Sequence, residues 1–390
     1  MTTHKTTPPA AATPDAATPD AEAVAPTPAA QPAAAAPDTP QAVRPRRRLA
    51  VVLTLAAGTA ALFVLTIATG SHPVPVTEVV RVLFGGTAGD PRWTVIVEEV
   101  RLPRALTAVA VGAALAVAGV QMQTLFRNAL ADPFSLGVSS GASMGVAAVV
   151  VGTGGVAGSF TGDLAGLGRV GVILAASLGA AAVLALVLLL SRWVRSAVTL
   201  LVIGVMIGSA ATAVVSVMLV YAQPERAQQF VMWGLGSFSS TTWPDLHVML
   251  PVIGAGLLTA LLTAKRLNSL LLGEDYARTM GLNVRRSRDL ALLGTSLLAG
   301  AATAFCGPIA FLGLAVPHLT RVALGTSDHR ALIPASMLAG AFLALACALL
   351  SQPPGSDSVL PLNAITSLFG APVVITFLIR SRRGVQGVAS

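Results

Sequence analysis

The sequence of 390 residues is 54% hydrophobic and only 11% charged, and its mean hydropathy is +0.76. A typical soluble chain is about 25% charged, so this composition excludes a cytosolic enzyme, a secreted disulfide scaffold and a disordered hub. The net charge of +8 does not require a nucleic-acid partner, because the basic residues of membrane proteins collect on cytoplasmic loops. The composition indicates a polytopic membrane protein.

Residues 1–43 differ from the rest of the chain, because 15 of them are alanine and 9 are proline. Such a segment has too little apolar surface to offset the entropy of ordering, and we expect a disordered cytoplasmic tail. Four arginines at 44–48 then precede an apolar run at 49–69. That run is longer than the roughly 7–15 residues of a signal-peptide core, so it predicts the first membrane span. Residues 44–390 are accordingly predicted to form the membrane domain.

Ten apolar stretches approach the ~20 residues that a membrane-spanning helix needs. They lie at 49–69, 104–125, 134–151, 170–190, 197–220, 246–264, 290–306, 308–325, 331–350 and 361–380. With ten spans and a cytoplasmic N-terminus, 19 of the 25 Lys and Arg residues fall on the cytoplasmic side, as the positive-inside rule requires. The sequence therefore predicts an all-α protein of the cell membrane with both termini in the cytoplasm.

The cores of these stretches contain no Asp, Glu, Lys or Arg. Small residues instead recur at four-residue spacing, at Gly137, Gly141 and Gly145 and at Gly204 and Gly208, which favours close helix packing in lipid. Ion-coupled transporters usually keep ionisable groups within the membrane. We therefore expect the driving energy to enter through a partner; a self-sufficient ion-coupled carrier or channel is the alternative.

The sequence lacks residues that nucleotide binding, metal binding and hydrolysis would each require. Neither lysine, Lys5 or Lys265, ends the G-x-x-x-x-G-K pattern that cradles phosphates, and no His or Cys spacing matches a metal site. Gly137 to Gly141 has the spacing of a nucleophile elbow but lies in an apolar helix without an accompanying His and acid. We expect no catalytic residue, no metal and no cofactor bound by this chain.

The longest predicted cytoplasmic loop, at about 265–289, is the best candidate for receiving a partner. Leu267, Leu270 and Leu271 have helical spacing, and Gly273 ends that segment. A second short segment carries Glu274 and Asp275 in its first turn and ends at Gly281. Two short helices joined by a glycine would form a knob for a groove on another protein. An ordinary amphipathic helix at the membrane surface is the alternative.

On the predicted outer side, the run Arg101-Leu-Pro-Arg104 opens the second span. A proline at the first helical position is ordinary, but two arginines on the side where positive charge is depleted are less so. We expect both to face outward, where they could pair with carboxylates of a docking protein.

These motifs together resemble the FecCD/BtuC-like permeases of ABC importers for iron-siderophores, haem and cobalamin. The similarity covers about 49–383, and its strongest blocks are RLPR at 101–104, RNALADP at 127–133, LGVSSGA at 136–142, GEDYARTMG at 273–281 and GPIAFLGLAVPH at 307–318. Several ordered blocks at the right spacing make this resemblance specific.

The resemblance implies a type II ABC importer permease of about ten helices that pairs with a second copy or a homologous permease around a central path. It implies two partner ATPase subunits that hold ATP and Mg, and an extracytoplasmic substrate-binding protein. It assigns coupling to the ATPases to Leu267, Leu270, Leu271, Gly273, Glu274, Asp275, Ala277, Arg278 and Gly281. It assigns binding-protein docking to Arg101 and Arg104, and the path to 197–220 and 226–238, with Thr212 and Ser216 as polar candidates. The chain itself would be no enzyme.

Three departures from the family pattern bear on these expectations. Ala129 replaces a usual proline, although we expect the turn to form around Pro133. Cys347 and the pair at 351–352 stand where relatives often have an Asp and an Arg, which predicts that docking differs or that a partner permease supplies the arginine. Asn363 stands where glycine is common, and the sequence offers no explanation for it.

Overall fold

The computed structural model describes residues 45–152, 167–194, 196–353, 355 and 359–386. The predicted tail at 1–43 lies outside these residues. The helices in chain order are α1 (Pro45–Ala68), α2 (Val76–Leu83), α3 (Pro91–Val95), α4 (Leu102–Leu125), α5 (Val138–Gly152), α6 (Leu167–Leu190), α7 (Ala197–Val220), α8 (Pro224–Gly234), α9 (Trp243–Leu271), α10 (Glu274–Thr279), α11 (Val284–Cys306), α12 (Leu312–Leu324), α13 (His329–Ser351) and α14 (Leu362–Gln386). A π-helix (Ile96–Arg101) joins α3 to α4, and a 3₁₀ helix (Pro133–Leu136) precedes α5.

The all-α prediction is confirmed, and each of the ten apolar stretches lies on one of these helices. Seven described helices are long and apolar enough to cross a membrane, and Val138–Val151, Leu312–Leu324 and Leu362–Thr376 are shorter apolar helices. The second span is longer than predicted, because the π-helix continues the helical path from Pro91 to Leu125. α12 begins four residues later than predicted.

α4 is the central helix of the bundle. Its side chains from Pro103 to Leu125 are nearly all buried, and it packs against α9, α11, α12 and α13. The helix can be buried on every side because its sequence is apolar all round rather than along one stripe.

Glycines set the distances between the packed helices. A Cβ atom built on Gly112 of α4 would overlap the carbonyl group of Gly340 on α13, and one on Gly119 would overlap the carbonyl of Gly313 on α12. The predicted packing role of Gly141 is confirmed, since its Cβ would lie 2.5 Å from the Gly179 carbonyl oxygen of α6. Small residues bring backbones together in this way where lipid provides no hydrophobic drive for association.

The turn between α4 and α5 forms although Ala129 replaces the usual proline. Asn128 Oδ1 accepts a hydrogen bond from the backbone N–H two residues later (2.9 Å), and Asp132 Oδ1 accepts one from Phe134 N (2.8 Å). Burial raises the pKa of the Asp132 carboxyl, and the bond from Phe134 opposes that rise. Pro133 then opens the 3₁₀ helix, as expected.

Asn363 supplies the hydrogen bonds that the non-helical segment 307–311 needs. Its Nδ2 donates to the carbonyl oxygens of Gly234 (3.1 Å) and Pro308 (2.7 Å), and its Oδ1 accepts from Ala310 N (2.9 Å). Irregular backbone among membrane-spanning helices persists only where such groups find partners. The side-chain amide of Asn363 therefore joins the end of α8, the break before α12 and the start of α14, and this explains its departure from the family pattern.

We expect Asn363→Gly to lower the free energy of unfolding by about 1–3 kcal/mol, because it leaves polar groups of the break without partners. The measurement is the midpoint of thermal unfolding of the purified protein in detergent. Thr279→Gly, at the exposed end of α10, changes a side chain outside this network and serves as control. If the Asn363→Gly protein unfolds at the wild-type temperature, the hydrogen bonds of Asn363 do not stabilise this break.

Candidate partner-binding sites and translocation path

The bundle has two ends that carry different candidate sites. One end, called the α10 end, holds α10 with the connection 126–137, the end of α6 and the starts of α11 and α13. The other, called the α3 end, holds α2, α3, α8 and the ends of α1 and α13.

α10 is a single short helix held between two glycines in the left-handed region. Gly273 (φ +120°) precedes it and Gly281 (φ +79°) follows it, so both predicted stops lie where a side chain would be strained. A Cβ at Gly273 would also lie 3.2 Å from a guanidinium nitrogen of Arg127. Ala277 is fully buried and fixes α10 against the bundle.

The prediction of a separate first short helix is wrong. α9 runs without interruption to Leu271, because no glycine or proline breaks the chain between 264 and 273. Leu267 and Leu270 are consequently 1% and 4% exposed and pack inside the bundle. Leu271 alone of the three predicted leucines has an exposed side chain.

Four apolar side chains stand in solvent around α10, and we call them the knob patch. They are Leu271 (40% exposed), Leu272 (64%), Tyr276 (55%) and Met280 (60%). The charges of α10 are paired with one another, because Arg278 bridges both Glu274 and Asp275 at 3.2 Å each. Exposed pairs of this kind contribute only about 0.3–0.5 kcal/mol, so the knob patch is the distinctive feature of this surface.

A polar network behind the knob patch was not predicted from the sequence. Asn268 Oδ1 lies 2.7 Å from His329 Nδ1, and His329 Nε2 lies 2.7 Å from Thr124 Oγ1. Asn268 Nδ2 also donates to Asp328 Oδ1 (2.6 Å). The hydrogen bond from Arg330 N, and after it the one from Asn268, lowers the pKa of the Asp328 carboxyl. The network connects the end of α9 to α4 and α13.

At the α3 end, Arg101 is 8% exposed rather than facing outward. Its guanidinium donates to the carbonyl oxygens of Ile67 (2.8 Å) and Ala68 (3.1 Å) and to that of His72. Ile67 and Ala68 are the last residues of α1, where the helix dipole and unpaired carbonyls attract a cation, and His72 lies in the segment that follows.

Arg104 is likewise buried, at 7% exposed, and closes the end of α13. Its Nη2 donates to the Ala348 carbonyl oxygen (2.7 Å) and to Ser351 Oγ (3.1 Å). The expectation that both arginines present their charge outward therefore differs from the structure, although their role in docking stays a prediction. The exposed charges on the adjoining π-helix are the carboxylates of Glu98 and Glu99.

The predicted path helix α7 borders an open groove of about 410 Å³. The groove is lined by small residues and two apolar side chains: Phe134, Ser135, Gly137, Ser140, Gly204, Val205, Gly208, Ser209 and Thr212. Ser216 lies one turn further along α7, outside the groove lining, and donates to the Thr212 carbonyl oxygen (3.0 Å). Among the described residues, no group of three or more His, Cys, Asp or Glu side chains could hold a metal ion.

Comparison with known proteins identifies this arrangement. A profile of the FecCD transport family matches residues 58–380. The chain belongs to the FecCD transport family. It is 39% identical over 331 residues to an uncharacterized ABC transporter permease protein, YvrB, of Bacillus subtilis, covering 82% of this chain and 91% of the relative.

Two further relatives of this FecCD permease have named substrates. The hemin transport system permease protein HmuU of Yersinia pestis is 37% identical (79% of this chain, 90% of the relative). The vitamin B12 import system permease protein BtuC of Klebsiella pneumoniae is 36% identical (73% and 82%). A solved chain assigned to a metal-chelate type ABC transporter in an inward-facing conformation superposes with a TM-score of 0.72 at 29% identity, covering 85% of this chain and 99% of that one. The chain is therefore a multi-pass permease component of an ABC transporter.

We expect Arg104→Met to lower the free energy of unfolding of this permease by about 1–3 kcal/mol, because it removes the buried hydrogen bonds that Arg104 donates to the Ala348 carbonyl and to Ser351 Oγ. Ser351 Oγ continues to donate to the same carbonyl. Thermal unfolding in detergent measures the effect. Arg81→Met, which removes an exposed pair with Glu78 at the same end, is the control and should change stability by less than about 1 kcal/mol. Unchanged stability with lost affinity for a substrate-binding protein would assign Arg104 to docking instead.

Proposed function

We propose that the chain is the membrane permease of an ABC importer that moves an iron-siderophore or a related metal chelate, such as haem or cobalamin, into the cytoplasm. ATP hydrolysis on two partner ATPase subunits drives the transport. The substrate class is supported by the hemin and vitamin B12 permeases among the relatives and by the metal-chelate transporter with the same fold.

The observation that carries the proposal is the knob patch. Exposed Leu, Tyr and Met side chains on a short helix fit an apolar groove on another protein better than they fit water. The basic residues around α10 favour a cytoplasmic location for this end, where ATPase subunits reside. The alternative, an ion-coupled carrier, needs ionisable groups within the spans, and the sequence places none in the span cores.

The network of Asn268, His329 and Thr124 connects the region of the knob patch to the membrane-spanning helices α4 and α13. A force applied to α10 passes through the end of α9 to α4 and α13, because these hydrogen bonds join the three helices directly. Rigid helices that move as units transmit conformational change over such distances. In this proposal, closure of the ATPases moves these helices and so alters the path.

The groove beside α7 is the part of the path that this chain contributes. α7 leaves apolar side chains exposed along its length, including Val205, Met206 and Val217, and a second permease copy facing it would enclose a central path. Serine, threonine, glycine and two apolar residues line the groove, and none of them is charged, which suits passage of a bulky ligand without tight binding. A substrate-binding protein would dock at the α3 end.

The double substitution Tyr276→Asp and Met280→Asp places two charges in the knob patch. We expect it to abolish co-purification with the ATPase subunits and ATP-dependent uptake, since buried unpaired charges oppose association. Co-purification and uptake in proteoliposomes measure the two effects. Phe84→Asp, at an even more exposed apolar residue (88%) of the α3 end, should leave ATPase binding intact.

If the double variant binds ATPases and transports as the wild type does, α10 is not the coupling element. If the permease alone accumulates ligand under an ion gradient, the ABC mechanism itself is wrong. The two results are separable, because the first is read with ATP and ATPases present and the second without them.

The substrate is tested by uptake of labelled ferric siderophores, haem and cobalamin into cells with and without this gene. We expect accumulation of one metal chelate to fall to background in the deletion strain and to return with the wild-type gene. Failure of the Tyr276→Asp, Met280→Asp variant to restore that uptake, although it reaches the membrane in wild-type amount, would connect the uptake to the knob patch. Equal uptake of all three ligands with and without the gene contradicts the proposed substrate class.

A further inference from the structure

A cavity of about 310 Å³ opens at the α10 end between the end of α6, α10 and the start of α11. Four guanidinium groups line it, and we call it the arginine cavity. Their residues are Arg192, Arg278, Arg285 and Arg288. One carboxylate, that of Glu274, lies among them, so the lining carries a clear excess of positive charge.

Two of the four arginines are engaged within the protein. Arg278 pairs with Glu274 at 3.2 Å, and Arg288 donates to the carbonyl oxygens of Ser191 (2.8 Å) and Val194 (3.1 Å). Arg192 and Arg285 are exposed, and no salt bridge joins either to a carboxylate within the part of the chain that the structure describes. These two positive charges line the cavity without a carboxylate partner, so an anionic ligand could pair with them.

The backbone adds to this preference for an anion. The 23-residue helix α11 begins at the cavity, with Val284 in the lining and Asn283 as its cap. A helix N-terminus carries partial positive charge and unpaired N–H groups, both of which favour anionic ligands. Helix and arginines therefore favour the same kind of ligand, and guanidinium groups match phosphate oxygens well.

Exposed apolar residues lie at the end of α6, close in sequence to the lining residues Ser191 and Arg192. Leu186 and Leu189 of that helix are 42% and 45% exposed, and Trp193, beside Arg192, is 70% exposed. Tryptophan concentrates at the level of lipid headgroups, between the apolar core and water. The cavity thus lies where a phospholipid headgroup would lie, with the acyl chains along α6.

We propose that the arginine cavity binds the phosphate of an anionic phospholipid from the leaflet at the α10 end, with Arg192 and Arg285 as its main ligands. A lipid held there bridges the end of α6 to α10 and so braces the knob patch from behind. The site is a property of the permease alone and does not depend on ATPases or on transport.

The test compares lipid binding to purified, delipidated permease by native mass spectrometry and by titration with nanodiscs. Phosphatidylglycerol should bind, and phosphatidylcholine of the same chain length should not compete. We expect Arg192→Gln with Arg285→Gln to weaken phosphatidylglycerol binding about tenfold or more, since each basic group near a membrane surface contributes appreciably. Arg286→Gln removes the same charge from the neighbouring exposed residue outside the cavity, and binding should remain at the wild-type level. Equal melting temperatures of the variants show that all are folded.

Three outcomes overturn the proposal. Undiminished phosphatidylglycerol binding by the double variant would place the lipid elsewhere. Binding of inorganic phosphate in the cavity, with loss in the double variant and no lipid adduct, would assign the site to a soluble anion. Absence of both ligands, together with loss of ATPase co-purification in the double variant but not in Arg286→Gln, would assign the arginines to a carboxylate of the partner protein.

Discussion

The close approach of helix backbones around α4 is the constraint on which the rest of the structure depends. Lipid gives no hydrophobic reward for bringing apolar helices together, so packing contacts must hold the bundle. At Gly112 and Gly119, α4 comes so near to α13 and α12 that a single added methyl group would overlap the opposing carbonyl. A helix buried on all sides in this way can position polar groups at both of its ends with little freedom.

Both candidate partner sites use α4 for that positioning. At the α3 end, Arg104 of α4 holds the end of α13 through Ser351, and at the α10 end Thr124 of α4 contacts His329, the first residue of α13. α4 and α13 are therefore in contact at both ends and also in the middle, where Gly112 meets Gly340. These contacts hold α4 and α13 together as one rigid pair, whereas α7, beside the groove, packs against α5.

Local sequence signals predicted the helices well, and contacts distant in sequence account for what was missed. Gly273 and Gly281 mark α10 because a positive φ favours glycine at those points. The burial of Arg104 could not be predicted, since its acceptor Ala348 lies 244 residues away. Asn363 had no sequence explanation because the backbone groups that it satisfies belong to 234 and 308–310. The charges at 265–266 suggested a loop, but without a breaking residue α9 continued through them.

The arginines at the two ends show why charge alone did not identify function. Arg101 and Arg104 are buried, and their guanidinium groups donate hydrogen bonds to the carbonyl ends of α1 and α13. These bonds hold the two guanidinium groups inside the protein. Arg192 and Arg285 have no such acceptors among the described residues and line an open cavity. The same residue type thus stabilises helix ends where carbonyl oxygens surround it and is available for an anion where they do not. An arginine that is buried among carbonyl oxygens therefore stabilises the fold, whereas an exposed arginine without such acceptors is able to bind an anionic ligand.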